Sequence, residues 1–171
     1  MRRAIALALL FASVSAIAAP PKKLTTVIVV RHAEKAGPTG DVPLSDAGRE
    51  RAKELVRVLS SVSVTAIYVT QYQRTQQTAE PLAESLKIKP IVAGTTATYP
   101  ADLVKVIDAK HAGGTVVVVT HSNLIQDVLR ALGIRNPPAL GDNQYDDLFV
   151  VTRGSGVAPK MVVLRYGAVA R

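Results

Sequence analysis

The sequence predicts an α/β protein: a three-layer sandwich, with a mostly parallel sheet, helices on both faces and an antiparallel edge. Three observations carry this. Short, nearly continuous apolar runs such as LTTVIVV (24–30) and TVVVVT (115–120) have the composition of strands buried on both faces. Between such runs lie longer segments whose apolar residues recur at helical spacing. The alternation of strand and helix holds as far as Gly133, after which two strand-like runs follow one another directly.

Each element has its own local justification. LTTVIVV is the first strand. LSDAGRERAKELVRVLSS (44–61) is an amphipathic helix: Ser45 is a natural N-cap, and Ala52, Leu55, Val56 and Leu59 share one face. VTAIYVT (64–70) is a second strand. YQRTQQTAEPLAESL (72–86) has helical spacing, with Pro81 expected to kink or break it. IKPIVA (88–93) is a short strand and TTATY a loop; PADLVKVIDAKHA (100–112) is a helix with Pro100 near its first position. TVVVVT is the clearest buried strand. SNLIQDVLRALG (122–133) places Leu124, Ile125, Val128, Leu129 and Leu132 on one helix face and stops at Gly133. DDLFVVT (146–152) and KMVVLRYG (160–167) close the chain as a strand pair.

The first 19 residues have the form of an export signal and residues 20–171 that of one domain. Arg2 and Arg3 precede the apolar stretch AIALALLFASVSAIA, and Ala16-Ile17-Ala18 is a cleavage pattern of small residues. A periplasmic or secreted protein is expected, with no stable membrane insertion once the leader is removed. The chain has no cysteine, so thiolate metal sites and disulfides are excluded. Its net charge of +8, from 21 basic and 13 acidic residues, suits an anionic partner. The basic residues are scattered singly and no stacking aromatics interleave with them, which speaks against nucleic acid and for a small anionic substrate.

Three strands end in chemically capable residues. The first ends at Arg31-His32; the second at Thr70, with Arg74 one turn into the next helix; the strongest apolar run ends at His121. In an open α/β sheet the functional crevice lies beyond the carboxyl ends of the strands. Two arginines and two histidines gathered there suit a phosphoryl group. A neutral imidazole can carry the group covalently, and guanidinium forks donate bidentately to its oxygens. The third histidine, His111, lies in a helix tail and is expected to be structural.

These segments resemble a known family. RHAEK resembles the RHGE signature of the histidine phosphatase superfamily, and PLSDAGRERA resembles its LTxxGxxQA helix start. YQRTQQTAEPLAESL is similar to its SxxxRTxQTAxxxA segment, and VVVVTHSN to its VxVVxHGG strand. The resemblance implies that His32 is the phosphorylated nucleophile, that Arg31 and Arg74 bind the phosphoryl oxygens, and that His121 completes the pocket. It implies no metal and no organic cofactor. The implied activity is hydrolysis of a small phosphorylated substrate. A mutase-type phosphotransfer and a non-catalytic phosphate-binding module of the same fold are the alternatives.

Two departures matter. Ala33 replaces the usual glycine, which is tolerable if its φ is negative. Ser122 stands where acid phosphatases of the family have an aspartate, so the proton donor must come from elsewhere. Of the carboxylates between Arg74 and His121, Glu80 and Glu84 are expected to face away from the pocket and Asp108 lies deep in its own helix, which leaves Asp102, beyond the loop GTTATYP, as the expected general acid.

Overall fold

The structure, a computed structural model, describes residues 23–169. The export signal expected over the first 19 residues lies outside the described residues. Six strands and four helices follow in the order β1 (Thr25–Arg31), α1 (Asp46–Leu59), β2 (Val64–Thr70), α2 (Gln73–Leu86), β3 (Ile91–Ala93), α3 (Tyr99–Lys110), β4 (Thr115–Thr120), α4 (Ser122–Ala131), β5 (Asp147–Gly154) and β6 (Val157–Arg165). They form one sheet in the order β3-β2-β4-β1-β5-β6. The four strands from β3 to β1 are parallel, and β5 and β6 add the antiparallel edge. The α/β three-layer architecture read from the sequence is the one observed.

Alternation along the strands builds the two cores. In β1, Val27 and Val29 face one way, with Val116 and Val118 of β4, and pack against Leu103 and Ile107 of α3 and Ile125 and Leu129 of α4. Ile28 and Val30, with Val117 and Val119, face the other way, against Leu55 and Leu59 of α1 and Leu82 and Ala83 of α2. A central strand must therefore be apolar at every position, which is why these runs show no alternation.

Local chemistry sets the helix ends. The Ser45 side chain accepts the Gly48 N–H at 3.1 Å and caps α1. α4 ends where Gly133 adopts φ +98, a conformation that favours glycine. Pro81, expected to kink or break the helix, does not end it: α2 runs through it. Proline removes one intrahelical bond, but Thr78, Ala79, Leu82 and Ala83 on both sides of it are buried and hold the helix to the sheet.

Candidate active site

The site is built by strand register. Arg31 pairs with Thr120 at the ends of β1 and β4, and the next residue, His32, continues the pairing with a 2.8 Å bond from its N–H to the Thr120 carbonyl. His32 and His121 therefore leave adjacent parallel strands side by side, their rings 5.3 Å apart and edge to face. β2 flanks β4 on the other side. Its last residue, Thr70, places its hydroxyl 2.9 Å from Nε2 of His121. Arg74, in the first turn of α2, completes the group.

His32 is only 4% exposed. Its Nδ1 lies 2.8 Å from the Ala33 carbonyl, which can only accept, so Nδ1 carries the ring proton. The lone pair of the neutral ring then resides on Nε2. The turn after His32 is pinned to α2: Thr78 accepts the Ala33 N–H at 2.9 Å and donates to the Arg74 carbonyl at 2.7 Å. Ala33 is fully buried and is not among the residues with positive φ, so replacing glycine here introduces no backbone strain. Glycine is needed instead at Gly48, where a Cβ would lie 2.2 Å from the Glu34 carbonyl oxygen.

Burial is the main force on both histidines. It lowers His32 to about 3, with further lowering by His121, Arg31 and Arg74 against the raising bond to Ala33. It lowers His121 to about 4, aided by Arg74 and Arg31 and opposed by Asp41. Both rings are neutral near pH 7. That each arginine acts on both histidines places the four side chains within one electrostatic neighbourhood.

The arginines are held from behind. Nη1 of Arg31 donates to the carbonyls of Gly141, Asp142 and Gln144 at 3.3, 2.7 and 3.1 Å, and its guanidinium lies 3.9 Å from the Tyr145 ring centroid. Arg74 stacks 4.4 Å from the centre of Tyr72 and donates to the Gly40 carbonyl at 3.3 Å. Tyr72 also meets His121 edge-on at 5.1 Å. Nε of Arg31, Nε of Arg74 and Nδ1 of His121 are buried without a hydrogen-bond partner. Three orphaned nitrogens, two on permanent cations, suit a bound anion.

A supporting frame lies beneath. Glu34 receives Nε of Arg51 at 3.0 and 3.1 Å and Nη2 at 2.7 Å, and Arg51 also donates to the carbonyls of Tyr166 and Ala168 at 2.8 and 2.9 Å. Burial would raise the Glu34 carboxyl, but the Arg51 bonds outweigh it and hold the group below its ordinary value. Arg51 stands where the motif quoted above has glutamine, and the sequence offered no sign of its partners.

The structure brings Arg31, His32, Arg74 and His121 together and leaves Asp102 apart from them. Asp102 lies on the first turn of α3, 56% exposed and 3.5 Å from Lys105. It lines a separate cleft with Tyr68, Thr96 and Tyr99, and its charge acts on neither site histidine. The Thr98 hydroxyl, then Lys105, holds its carboxyl below the ordinary value, the opposite of what a proton donor needs. The structure thus does not bring Asp102, the expected general acid, together with the other four residues: it stands at the start of α3, in a cleft beside the TTATY loop. Glu80 and Glu84 are exposed, and Asp108 pairs with Arg153 at 2.9 Å. His111 meets the Tyr68 hydroxyl at 3.0 Å, outside the site. Among the described residues, no cluster of three or more His, Cys, Asp or Glu is placed to hold a metal ion.

A family model described as the histidine phosphatase superfamily (branch 1) matches residues 27–94, which run from β1 to just beyond β3 and include Arg31, His32 and Arg74. The match covers the part of the chain in which the sequence resemblance to that superfamily begins. Solved structures share the fold. A mycobacterial glucosyl-3-phosphoglycerate phosphatase aligns with a TM-score of 0.68 at 18% identity, over 84% of this chain and 100% of its own. The protein histidine phosphatase SixA, complexed with tungstate, aligns at 0.63 and 15% identity, over 82% of this chain and 96% of its own. YhfR of Bacillus stearothermophilus aligns at 0.63 and 21% identity, over 81% and 96%. At these identities the likeness is one of fold. No curated protein sequence matches the chain.

Proposed function

We propose that this protein is a phosphatase that hydrolyses phosphomonoesters through a covalent phosphohistidine on His32. The observation that carries the reading is the state of that ring: buried, neutral, its Nδ1–H committed to Ala33 and its lone pair left on Nε2, with the charges of Arg31 and Arg74 acting on it. A phosphoryl group entering there supplies the acceptors that the two arginine Nε–H groups lack. Negative charge spread over the phosphoryl oxygens in the transition state meets two fixed guanidinium forks in a water-poor floor. Nε2 attacks phosphorus, the ester oxygen leaves on the opposite side, and water then releases phosphate from the phosphoramidate. The family-model match over residues 27–94 and the phosphatases that share the fold support this reading.

The test is direct. Brief exposure to substrate, quenching without acid and measurement of intact mass are expected to find one acid-labile phosphoryl group on the protein, absent in His32→Ala. Wild-type turnover by His32→Ala overturns the mechanism, and a wild-type protein that binds phosphate but turns over no phosphomonoester is a phosphate-binding module instead.

The leader supports an exported protein, with a mature chain starting near Ala19. N-terminal sequencing of protein from the native host checks this, and an intact Met1 in a cytoplasmic fraction overturns it.

A further inference from the structure

Departure of an ester oxygen requires a proton, and the four groups on the floor have none to spare. Arg31 and Arg74 stay charged, and His32 attacks. His121, lowered to about 4 by burial and then by the two arginines, carries only its single neutral-ring proton at pH 7. The donor must be another group. In an in-line displacement, it sits on the side of the phosphoryl group away from His32, toward the open mouth.

We propose that Asp41 is the general acid–base residue of the reaction, carrying the proton to the leaving oxygen from the loop between β1 and α1. The proposal rests on the phosphohistidine reading above. It starts from how the loop is pinned. Oδ1 of Asp41 accepts the backbone N–H of Gln73 at 2.8 Å, and its carbonyl accepts the Gln73 side-chain amide at 3.1 Å. The neighbouring Gly40 carbonyl accepts Nη1 of Arg74 at 3.3 Å. These contacts hold the Asp41 carboxylate 3.8 Å from Nη1 of Arg74, one of the two phosphoryl binders. The side chain is 42% exposed, whereas His32 is 4% exposed, so Asp41 is open to solvent beside Arg74 while His32 is buried. Oδ1 is held in these contacts and Oδ2 is left for proton transfer.

The other nearby carboxylates are paired or do not reach the histidines. Glu34 is bound bidentately by Arg51. Asp142 acts on Arg31 and on neither histidine, and Asp146 and Asp147 pair with Arg165 at 3.0 and 2.7 Å. Asp41 is the carboxylate whose charge reaches His121.

The proton balance closes. A phosphomonoester, with a second pKa of about 6, binds in part as the monoanion and brings its own proton. That proton passes to Asp41. As Nε2 of His32 bonds to phosphorus, the P–O bond breaks, and the leaving oxygen takes the proton from Asp41. In the second half, water adds to phosphorus and yields a proton to the Asp41 carboxylate. The P–N electron pair returns to His32, and phosphate departs with that proton.

Asp41 also serves structure, because Tyr72 at the N-cap of α2 makes no side-chain capping bond and Asp41 reaches in from another loop to accept from Gln73. Asp41→Asn separates the roles: its amide oxygen still accepts from Gln73, but it cannot carry a proton. The experiment compares kcat/KM for an alkyl phosphate and for p-nitrophenyl phosphate, whose leaving group needs little protonation. In Asp41→Asn the alkyl ester is expected to lose about 10²- to 10⁴-fold and the aryl ester less than tenfold. The aryl ester is still expected to phosphorylate His32 in the variant. Equal losses on both esters, or a loss on neither, overturn the assignment. Failure of the underlying reading shows separately, as a wild-type protein that never acquires a phosphoryl group.

Discussion

His32 and His121 are neutral because they are buried, and acid therefore works against the fold. Their folded values, about 3 and about 4, lie below the ordinary value of 6.5. Between those limits the unfolded chain binds more protons, so stability falls as pH drops below 6.5 and levels off only below 4 and 3. At pH 5 each histidine costs about 2 kcal/mol relative to pH 7. Urea denaturation at the two pH values is expected to show that loss, and His121→Gln to recover about 2 kcal/mol of it. An unchanged pH dependence in the variant would place His121 in water. Arg74 has a different vulnerability. It binds the Gly40 carbonyl and stacks on Tyr72 while keeping Nε free, which a planar fork can do and an ammonium cannot. Arg74→Lys is expected to lower kcat/KM at least tenfold, and near-normal values would put Arg74 outside the pocket. The four floor residues were legible because each sits at or just after a strand end, where sequence position alone determines the edge reached. Asp41 was not, since a loop side chain is placed by contacts made 32 residues further on, at Gln73.

Among the elements, α1 shows how a helix serves a site it does not enter. Ser45 starts it, Gly48 lets its first turn approach the segment after His32, and Arg51 ties Glu34 to the C-terminal segment. A methyl group at position 48 would lie 2.2 Å from the Glu34 carbonyl oxygen and 3.1 Å from its N and C atoms. Backbone on both sides must then move. Gly48→Ala is expected to destabilise the protein by about 1–3 kcal/mol, as overpacking does, and to lower kcat by displacing the His32 turn. Thermal unfolding together with turnover checks both, and a variant normal in each would show that the turn yields freely. The sequence pattern marked Gly48 without giving its reason, because the close approach exists only once α1 has folded back onto the 32–35 turn. Pro81 teaches the converse. Its local rule predicted a kink or a break, and α2 continues past the proline with buried side chains on both sides of it.

Across the chain, the alternation of strand and helix could be read locally, but the order β3-β2-β4-β1-β5-β6 could not, since it depends on which strands meet after long connections. That order puts β1 and β4 together at the centre and so brings the two histidines to one place. Charge is the other property of the chain as a whole. A net +8 attracts anions diffusely, whereas the pocket should take one phosphate tightly through the Nε–H groups of Arg31 and Arg74. The two modes differ in their thermal signature. A ligand that binds only the folded state stabilises it by about 2.7 kcal/mol at a hundredfold excess over Kd. For a domain of this size that corresponds to a rise in Tm of about 5–10 °C. Inorganic phosphate is expected to produce such a rise that saturates. Sodium chloride at matched ionic strength should not reproduce it, because screening weakens diffuse attraction without filling a site. Arg74→Gln removes one fork and leaves the global charge almost unchanged, so it is expected to abolish most of the rise. Retention of the full rise in that variant, or an equal rise with chloride, would assign the effect to surface charge and deny the arginines a specific phosphate site.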